Sequence, residues 1–187
     1  MLPPLDTQLL TPRLIARPAR IEDIETHFVA ARESLREVGR WLSWCREDMT
    51  LDDSRIWIEK CIDAWKSGEF YGFYLFDRHD GGFVGCSTIN EIDRARLRAN
   101  LGYWIRTSRQ GRGMASEAVP TVARFGFEVL GLQRLEIVAA VGNHASGRVA
   151  LKVGAKQEAR ARNRLRIHGV QCDAKVFSLI PSDLPAV

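Results

Sequence analysis

The sequence predicts an α/β (α+β) fold, a mixed and mostly antiparallel sheet with one parallel pair, in the order β-α-α-β-β-β-α-β-α-β-β. Three observations carry this. Apolar residues recur at helical spacing early in the chain, the period drops toward two from Phe70, and a helix-length segment later separates two strand-like runs. A helix of that length between strands makes a βαβ crossover, which requires parallel strands.

Gln8 to Arg17 reads as a strand that tolerates Pro12 near one end, which places it at an edge. After Pro18, residues Ile24, Phe28, Ala31, Leu35 and Val38 share one face of a helix. A second helix starts at Thr50, with Asp53 completing a capping box. It carries Leu51, Ile58, Cys61, Ile62 and Trp65 as its stripe and stops at Gly68. Phe70 to Phe76, a turn at Asp80-Gly81-Gly82, Phe83 to Ile89 and Ala99 to Arg106 form an antiparallel meander. Met114 to Leu130 is the crossover helix, with Ala118, Val122, Phe125 and Val129 on one face and Gly131 at its end. Pro120 lies inside it and should kink it. Leu135 to Val141 suits a strand buried on both faces. Ala145 to Val153 is a short helix closed by Gly154, and two final strands flank His168-Gly169.

The chain has 187 residues, slightly more than one typical domain length of about 150, and no repeat or linker divides it. A single domain over 1–187 follows. Hydrophobic residues at 45% and charged residues at 27% argue against disorder. The longest apolar stretch, Phe70 to Phe76, is far short of the ~20 residues that span a bilayer. Met1 to Leu14 holds three prolines and lacks the pattern of a secretory leader. Cys45, Cys61, Cys86 and Cys172 form no C-x-x-C pair, which disfavours zinc or a redox dithiol and points to free thiols in a reducing cytoplasm. The net charge of +4 tilts the surface toward anions without marking a nucleic-acid binder.

The informative segment is Gln110-Gly111-Arg112-Gly113-Met114-Ala115-Ser116, between a strand and a helix. Glycines let a ligand approach the backbone, and the helix start offers unpaired N–H groups and a positive dipole end, which suits a pyrophosphate. A dinucleotide fold would want Gly or Ala at Ser116 and an acidic residue where Val141-Gly142-Asn143 stands. A P-loop would want Gly-Lys-Ser/Thr. Neither is present.

Gln110-x-x-Gly113-x-Ala115 resembles the acyl-CoA pyrophosphate loop of the GNAT N-acetyltransferases, and the element order resembles their fold, whose one parallel pair is splayed. Further pieces resemble the RimJ/RimL-type ribosomal-protein N-terminal acetyltransferases. These are Leu10-Thr11-Pro12-Arg13-Leu14-Ile15-Ala16-Arg17-Pro18, Trp41-Leu42-Ser43-Trp44, Leu101-Gly102-Tyr103-Trp104-Ile105, Asn143-x-x-Ser146, Lys152-Val153-Gly154-Ala155, and Asp173 before Val176-Phe177-Ser178-Leu179. Gly154-Ala155 stands where the family usually has Gly-Phe.

The resemblance implies that main-chain groups of Tyr103, Trp104 and Ile105 pair with the pantetheine arm of acetyl-CoA, and that the N–H groups of Gly111, Arg112, Gly113, Met114, Ala115 and Ser116, after Gln110, cradle its pyrophosphate. Arg109 and Arg112 would serve the phosphates. Asn143 would bond the pantetheine or orient the thioester, and Ser146 would face the sulfur. No metal is implied. The reaction is direct transfer: a neutral amine attacks the thioester, an oxyanion forms near the Ile105 N–H, and thiolate leaves. That thiolate has a pKa near the ~8.5 of Cys, so a hydrogen bond from Ser146 suffices. The plainer reading of Ser146 is a helix N-cap or first-turn residue.

No residue stands out as base. Glu91, Asp93, Glu158 and Asp173 are candidates that read more plainly as solvated charges. His27, His79 and His168 read as structural or solvent-facing, and His144 stays a minor candidate. Trp41, Trp44, Trp57 and Trp65 lie in the region that lines the acceptor side in the family; most of them read as core, with Trp41 or Trp44 placed to wall a channel. Arg160, Arg162, Arg164 and Arg166 alternate, which on a strand gives one solvated basic face, or a surface for ribosomal RNA or an acidic protein. The expected acceptor is the N-terminal α-amine of a protein. The alternatives are a small amine (amino acid, polyamine or aminoglycoside) or a non-catalytic acyl-CoA-binding regulator. Ribosome association and a homodimer complete the expected partners.

Overall fold

Turn and cap chemistry sets most element ends. The structure, a computed structural model, describes residues 2–185. Where one opening strand is expected there are two, β1 (Leu9–Leu10) and β2 (Leu14–Pro18), folded on each other as a hairpin that pairs Leu9 with Ala16. Pro12 has no N–H to give a ladder, so it sits in the turn, and β1 becomes the edge.

Helix α1 (Ile24–Glu33) ends earlier than its stripe suggests. The Ser34 hydroxyl donates to the Ala30 carbonyl (2.7 Å) and accepts the Thr107 N–H (3.1 Å), while Glu33 takes the Ser108 N–H and pairs with Arg106. These bonds pull the chain across the molecule, and Leu35 and Val38 fall in the turns that follow. Helix α2 (Leu51–Ser67) has the expected Thr50/Asp53 capping box, and Gly68 closes it at φ 75. Ile58, Cys61 and Trp65 are buried, but Leu51 is exposed.

Strands β3 (Tyr71–Asp77), β4 (Phe83–Asp93) and β5 (Arg98–Ile105) form the meander. Helix α3 (Met114–Glu128) runs unbroken through Pro120 and ends before Val129, which is exposed rather than on the buried face. Then follow β6 (Arg134–Ala140), α4 (His144–Lys152), β7 (Lys156–Ile167) and β8 (Val170–Leu179).

The sheet order is β1-β2-β3-β4-β5-β6-β8-β7. The β5–β6 pair is parallel and holds only three rungs, Arg98 to Asn100 against Arg134 to Glu136. Past Asn100 the two strands part. This also corrects β6, which alternates instead of being buried on both faces: Leu135, Ile137 and Ala139 are buried, while Val138 borders the opening.

One core lies between the sheet and α3, where Val119, Val122 and Phe125 meet Phe73, Leu75 and Leu101. A second lies under α1 and α2, where Ala30, Ile58 and Cys61 meet Tyr74, Phe83 and Cys86. Each large side chain so buried contributes roughly 1.5–3 kcal/mol. The basic face of β7 is interrupted. Register shifts between Ala161 and Leu165, Asn163 adopts φ 50, and Arg160 is paired with Asp173, so the four arginines do not form one regular row.

Candidate active site

Parting of β5 and β6 opens a cavity of about 1050 Å³. Its walls include Leu101 to Ile105 on one side and Ile137 to Ala140 on the other, with the glycine loop at one end and α4 alongside. Arg106 donates its N–H to the Val84 carbonyl (2.9 Å), which fixes the alternation along β5. Main-chain groups of Trp104 therefore turn to β4, and those of Tyr103 and Ile105 turn to the gap. This corrects the expectation of three consecutive pairing residues to two. The Gln110 side chain reaches the gap-facing Ile105 carbonyl at 2.8 Å.

Gly111 and Gly113 take φ 74 and 77, the left-handed region that glycine enters without strain. Gly113 starts α3 with no side chain capping it, so the first-turn N–H groups of Met114, Ala115 and Ser116 remain open to a ligand. Gln110, Gly111 and Gly113 to Ser116 all line the cavity. The Arg112 side chain does not. Arg109 is corrected outright: its guanidinium is held by Asp77 (3.2 Å) and Asp80 (2.6 Å), away from the loop.

The loop is braced from the β1–β2 turn. Arg13 donates to the Arg112 carbonyl (3.0 Å), and its N–H and Nε reach Glu117 at 2.8 and 2.6 Å, where the Thr11 hydroxyl also donates (2.6 Å). Burial pushes the Glu117 carboxyl up, but the bonds from Thr11 and Arg13 outweigh it and hold the group below the usual range. Arg13→Ala should weaken coenzyme A binding about tenfold, the loss of one or two hydrogen bonds to charged groups. Binding of pantetheine, which lacks the pyrophosphate, should not change. Calorimetry with both ligands checks this, and an equal loss for the two would count against the brace.

Asn143 caps α4, its Oδ1 accepting the Ser146 N–H at 3.1 Å, and it also lines the cavity. Ser146 is a first-turn residue of α4, as its plainer reading held, yet its hydroxyl is also in the cavity wall and donates to the Tyr103 hydroxyl (3.1 Å). Tyr103 in turn donates to the Ser146 carbonyl (2.9 Å). Burial pushes the Tyr103 phenol up to about 12, with the Ser146 bond pulling the other way, so it stays a neutral donor. The two hydroxyls are thus joined beside the gap, a pairing that the motif alone does not reveal.

None of the expected bases reaches the cavity. Glu158 is engaged by Arg134 and Ser178, Asp93 by Arg96, and Asp173 by Arg160 and Asn163, while Glu91 is exposed. The carboxylate in the lining is Glu37, which accepts the Thr107 hydroxyl at 2.9 Å and had no motif to mark it. His144 is exposed outside this cavity. His168 ties the β7–β8 tip to the segment after α1, its Nε2 bonding the Gly39 carbonyl (2.7 Å) and its N–H donating to Ser43 (2.9 Å). Trp41, Trp44 and Trp57 line the cavity, and Trp65 is core against Tyr71, Phe73 and Phe125.

A glycine loop at a helix start, a gap between parallel strands and a hydroxyl pair beside it fit a thioester carried on a long arm that ends in a pyrophosphate. The profile of the acetyltransferase (GNAT) domain matches residues 13–156. The chain belongs to the GNAT acetyltransferase family. This GNAT enzyme is similar to a Vibrio cholerae structure with the provisional name of a ribosomal-protein-serine acetyltransferase, at 34% identity and a TM-score of 0.85 over 97% of this chain and 100% of that one. YdaF of Bacillus subtilis, provisionally named a ribosomal N-acetyltransferase, is 29% identical over 79% of this chain and 80% of its own length. Spermidine N(1)-acetyltransferase of Escherichia coli is 25% identical over 76% of this chain and 81% of its own. The GNAT enzyme is an N-acetyltransferase, and among its described residues no helix is long and apolar enough to cross a membrane.

Proposed function

We propose that this enzyme transfers the acetyl group of acetyl-CoA to the N-terminal α-amine of a protein, with a ribosomal protein in the cytoplasm as first-choice acceptor. The observation that carries the reading is the charge of the cavity wall. Its lining holds one carboxylate, Glu37, against Arg148, Lys152 and Arg166. A polyamine would find little to hold its several cations. An α-amine of pKa ~7.7 is roughly one-sixth neutral at pH 7, whereas a lysine of pKa ~10.4 is neutral in about one molecule in 2,500. A wall without a strong base therefore favours the α-amine, with water or a backbone carbonyl relaying the proton. The names of the Vibrio cholerae and Bacillus subtilis relatives support the same acceptor class.

Acetyl-CoA, when bound, supplies the thioester. Gly111 and Gly113 with the N–H groups of Met114 to Ser116 hold the phosphates, and the N–H and C=O groups of Tyr103 align the arm. The Ile105 N–H polarises the carbonyl; the Ser146 hydroxyl, which donates to Tyr103 in the free enzyme, turns its one hydrogen to the leaving sulfur and accepts from the Tyr103 hydroxyl in exchange, and Asn143 holds the Ser146 backbone. The second reading, a small amine acceptor, is favoured by the spermidine acetyltransferase relative. Thiol release from acetyl-CoA with peptides beginning in Ser or Ala, spermidine and free amino acids separates them. Peptides should exceed spermidine at least about tenfold in kcat/KM, a difference of about 1.4 kcal/mol; spermidine as the best acceptor would overturn the reading.

A further inference from the structure

Residues directly opposite on two strands share a face of the sheet, so the register of β7 on β8 sorts this hairpin into two surfaces. Ala159 with Val176, Ala161 with Ala174 and Leu165 with Cys172 lie on one. Its β6 neighbours, Val138 and Ala140, carry that surface to the wall of the catalytic cavity. Gln157 with Phe177 and Arg160 with Lys175 lie on the other, where α4 packs. Gly147 lets the helix down onto the Phe177 ring, which a Cβ there would meet at 3.6 Å. On the outer side of α4, His144, Arg148 and Leu151 follow Gly147 at helical spacing and face Gln157 and Lys175 across a groove of about 190 Å³.

The groove is cationic, and no carboxylate lines it. Among the described residues neither Arg148 nor Lys175 meets an acidic side chain. Arg160 stands directly opposite Lys175, a like-charged pair that weakens the ladder unless an anion comes to it. The nearest acid along β8, Asp173, is already taken by Arg160 (3.0 Å) and by the Asn163 N–H (3.1 Å). Apolar surface lies beside the charge: Leu151 is 58% exposed at the rim. Two other occupants fit worse. β7 is the last strand of the sheet, and two copies paired along it would set arginines against arginines. A nucleic-acid base wants an open aromatic face, and Phe177, the aromatic residue of the groove, is 1% exposed.

We propose that the groove between α4 and the β7–β8 hairpin docks an extended acidic segment of another protein. Its carboxylates meet Lys175 and Arg148, and an apolar side chain between them rests on Leu151. Arg148 belongs to the wall of the groove and to that of the catalytic cavity, so a docked protein is held at the edge of the active site. The groove itself lies on the outer side of α4, apart from the place of the acceptor amine. The proposal therefore stands whether that amine is an α-amine or a small molecule.

The test is fluorescence anisotropy on the full chain with a labelled peptide that has Glu at alternate positions and Leu and Ser between them. Its N-terminus is blocked, so that it is no acceptor. The same peptide with Gln for Glu, and an oligouridylate of equal length, serve as controls. The Glu peptide should bind at least about tenfold tighter than the Gln peptide, the worth of one charge-assisted hydrogen bond, and should weaken as salt rises. Lys175→Glu and Leu151→Glu, neither in the catalytic cavity wall, should each weaken it about tenfold while affinity for coenzyme A stays as in wild type. Where Lys175→Glu also loses coenzyme A, Lys175→Gln carries the comparison. Equal binding of the Glu and Gln peptides, or binding unchanged in the Lys175 variant, overturns the proposal. Oligouridylate bound more tightly than the Glu peptide, and lost in the Lys175 variant, overturns it in favour of a nucleic acid.

Discussion

Ser146→Ala should lower kcat by a factor of about ten to a hundred with little change in KM for acetyl-CoA. The expected size follows from the task. A hydrogen bond to a charged group is worth about 1.5–3 kcal/mol, and the charge on sulfur exists only as the bond to the acyl carbon breaks. An interaction made only then shows in kcat rather than in binding. Tyr103→Phe should give a smaller loss, since Tyr103 acts by holding the Ser146 hydroxyl at 3.1 Å. The double variant should be little worse than Ser146→Ala, because the two hydroxyls act as one unit. Steady-state rates on the four proteins check this. Full additivity of the two losses would separate Tyr103 from Ser146.

The second large effect is on stability in acid. His27 is buried against Trp44, Tyr74 and Trp104 and bonds the Ser54 hydroxyl at 3.1 Å. Burial pushes its imidazole from 6.5 down to about 4, with Asp23 pulling weakly upward. The unfolded chain therefore binds a proton below pH 6.5 that the folded chain refuses until about pH 4. Stability from this group is fully present above 6.5 and falls as pH drops, by about 1.36 kcal/mol per unit and roughly 3 kcal/mol in all. The paired carboxylates Glu33 and Glu158 are held down to about 2 by Arg106 and Arg134, so the stability they contribute is lost from their ordinary value of 4.5 down to about 2, beneath the His27 window. The window from pH 6.5 to 4.5 thus reports His27. Denaturant unfolding across it should show a falling midpoint in wild type and a flatter one in His27→Phe; equal slopes would count against this account.

Much of the fold is legible because its signals are local. Thr50 and Asp53 cap α2 through bonds three residues apart, Gly68 and Gly113 take backbone conformations that their own chemistry allows, and the crossover helix announces the parallel pair by its length. The glycine loop is legible for the same reason. What the local pattern does not carry is register. That Trp104 turns its main chain to β4 while Tyr103 faces the gap depends on the Arg106 to Val84 bond, made across strands. Pairing of Tyr103 with Ser146 and the presence of Glu37 in the wall likewise arise only when distant segments meet. Arg109 shows the converse: its position beside the loop suggested a phosphate ligand, and two aspartates from the β3–β4 turn region claim it.

The most direct measurement is the site of modification. A peptide with a free N-terminus and an internal lysine, incubated with the enzyme and acetyl-CoA, is fragmented by mass spectrometry alongside the same peptide with its N-terminus blocked. The account predicts one acetyl group on the α-amine of the first peptide and none on the second. Acetylation of the lysine in the blocked peptide, or of spermidine in preference to either, would contradict it.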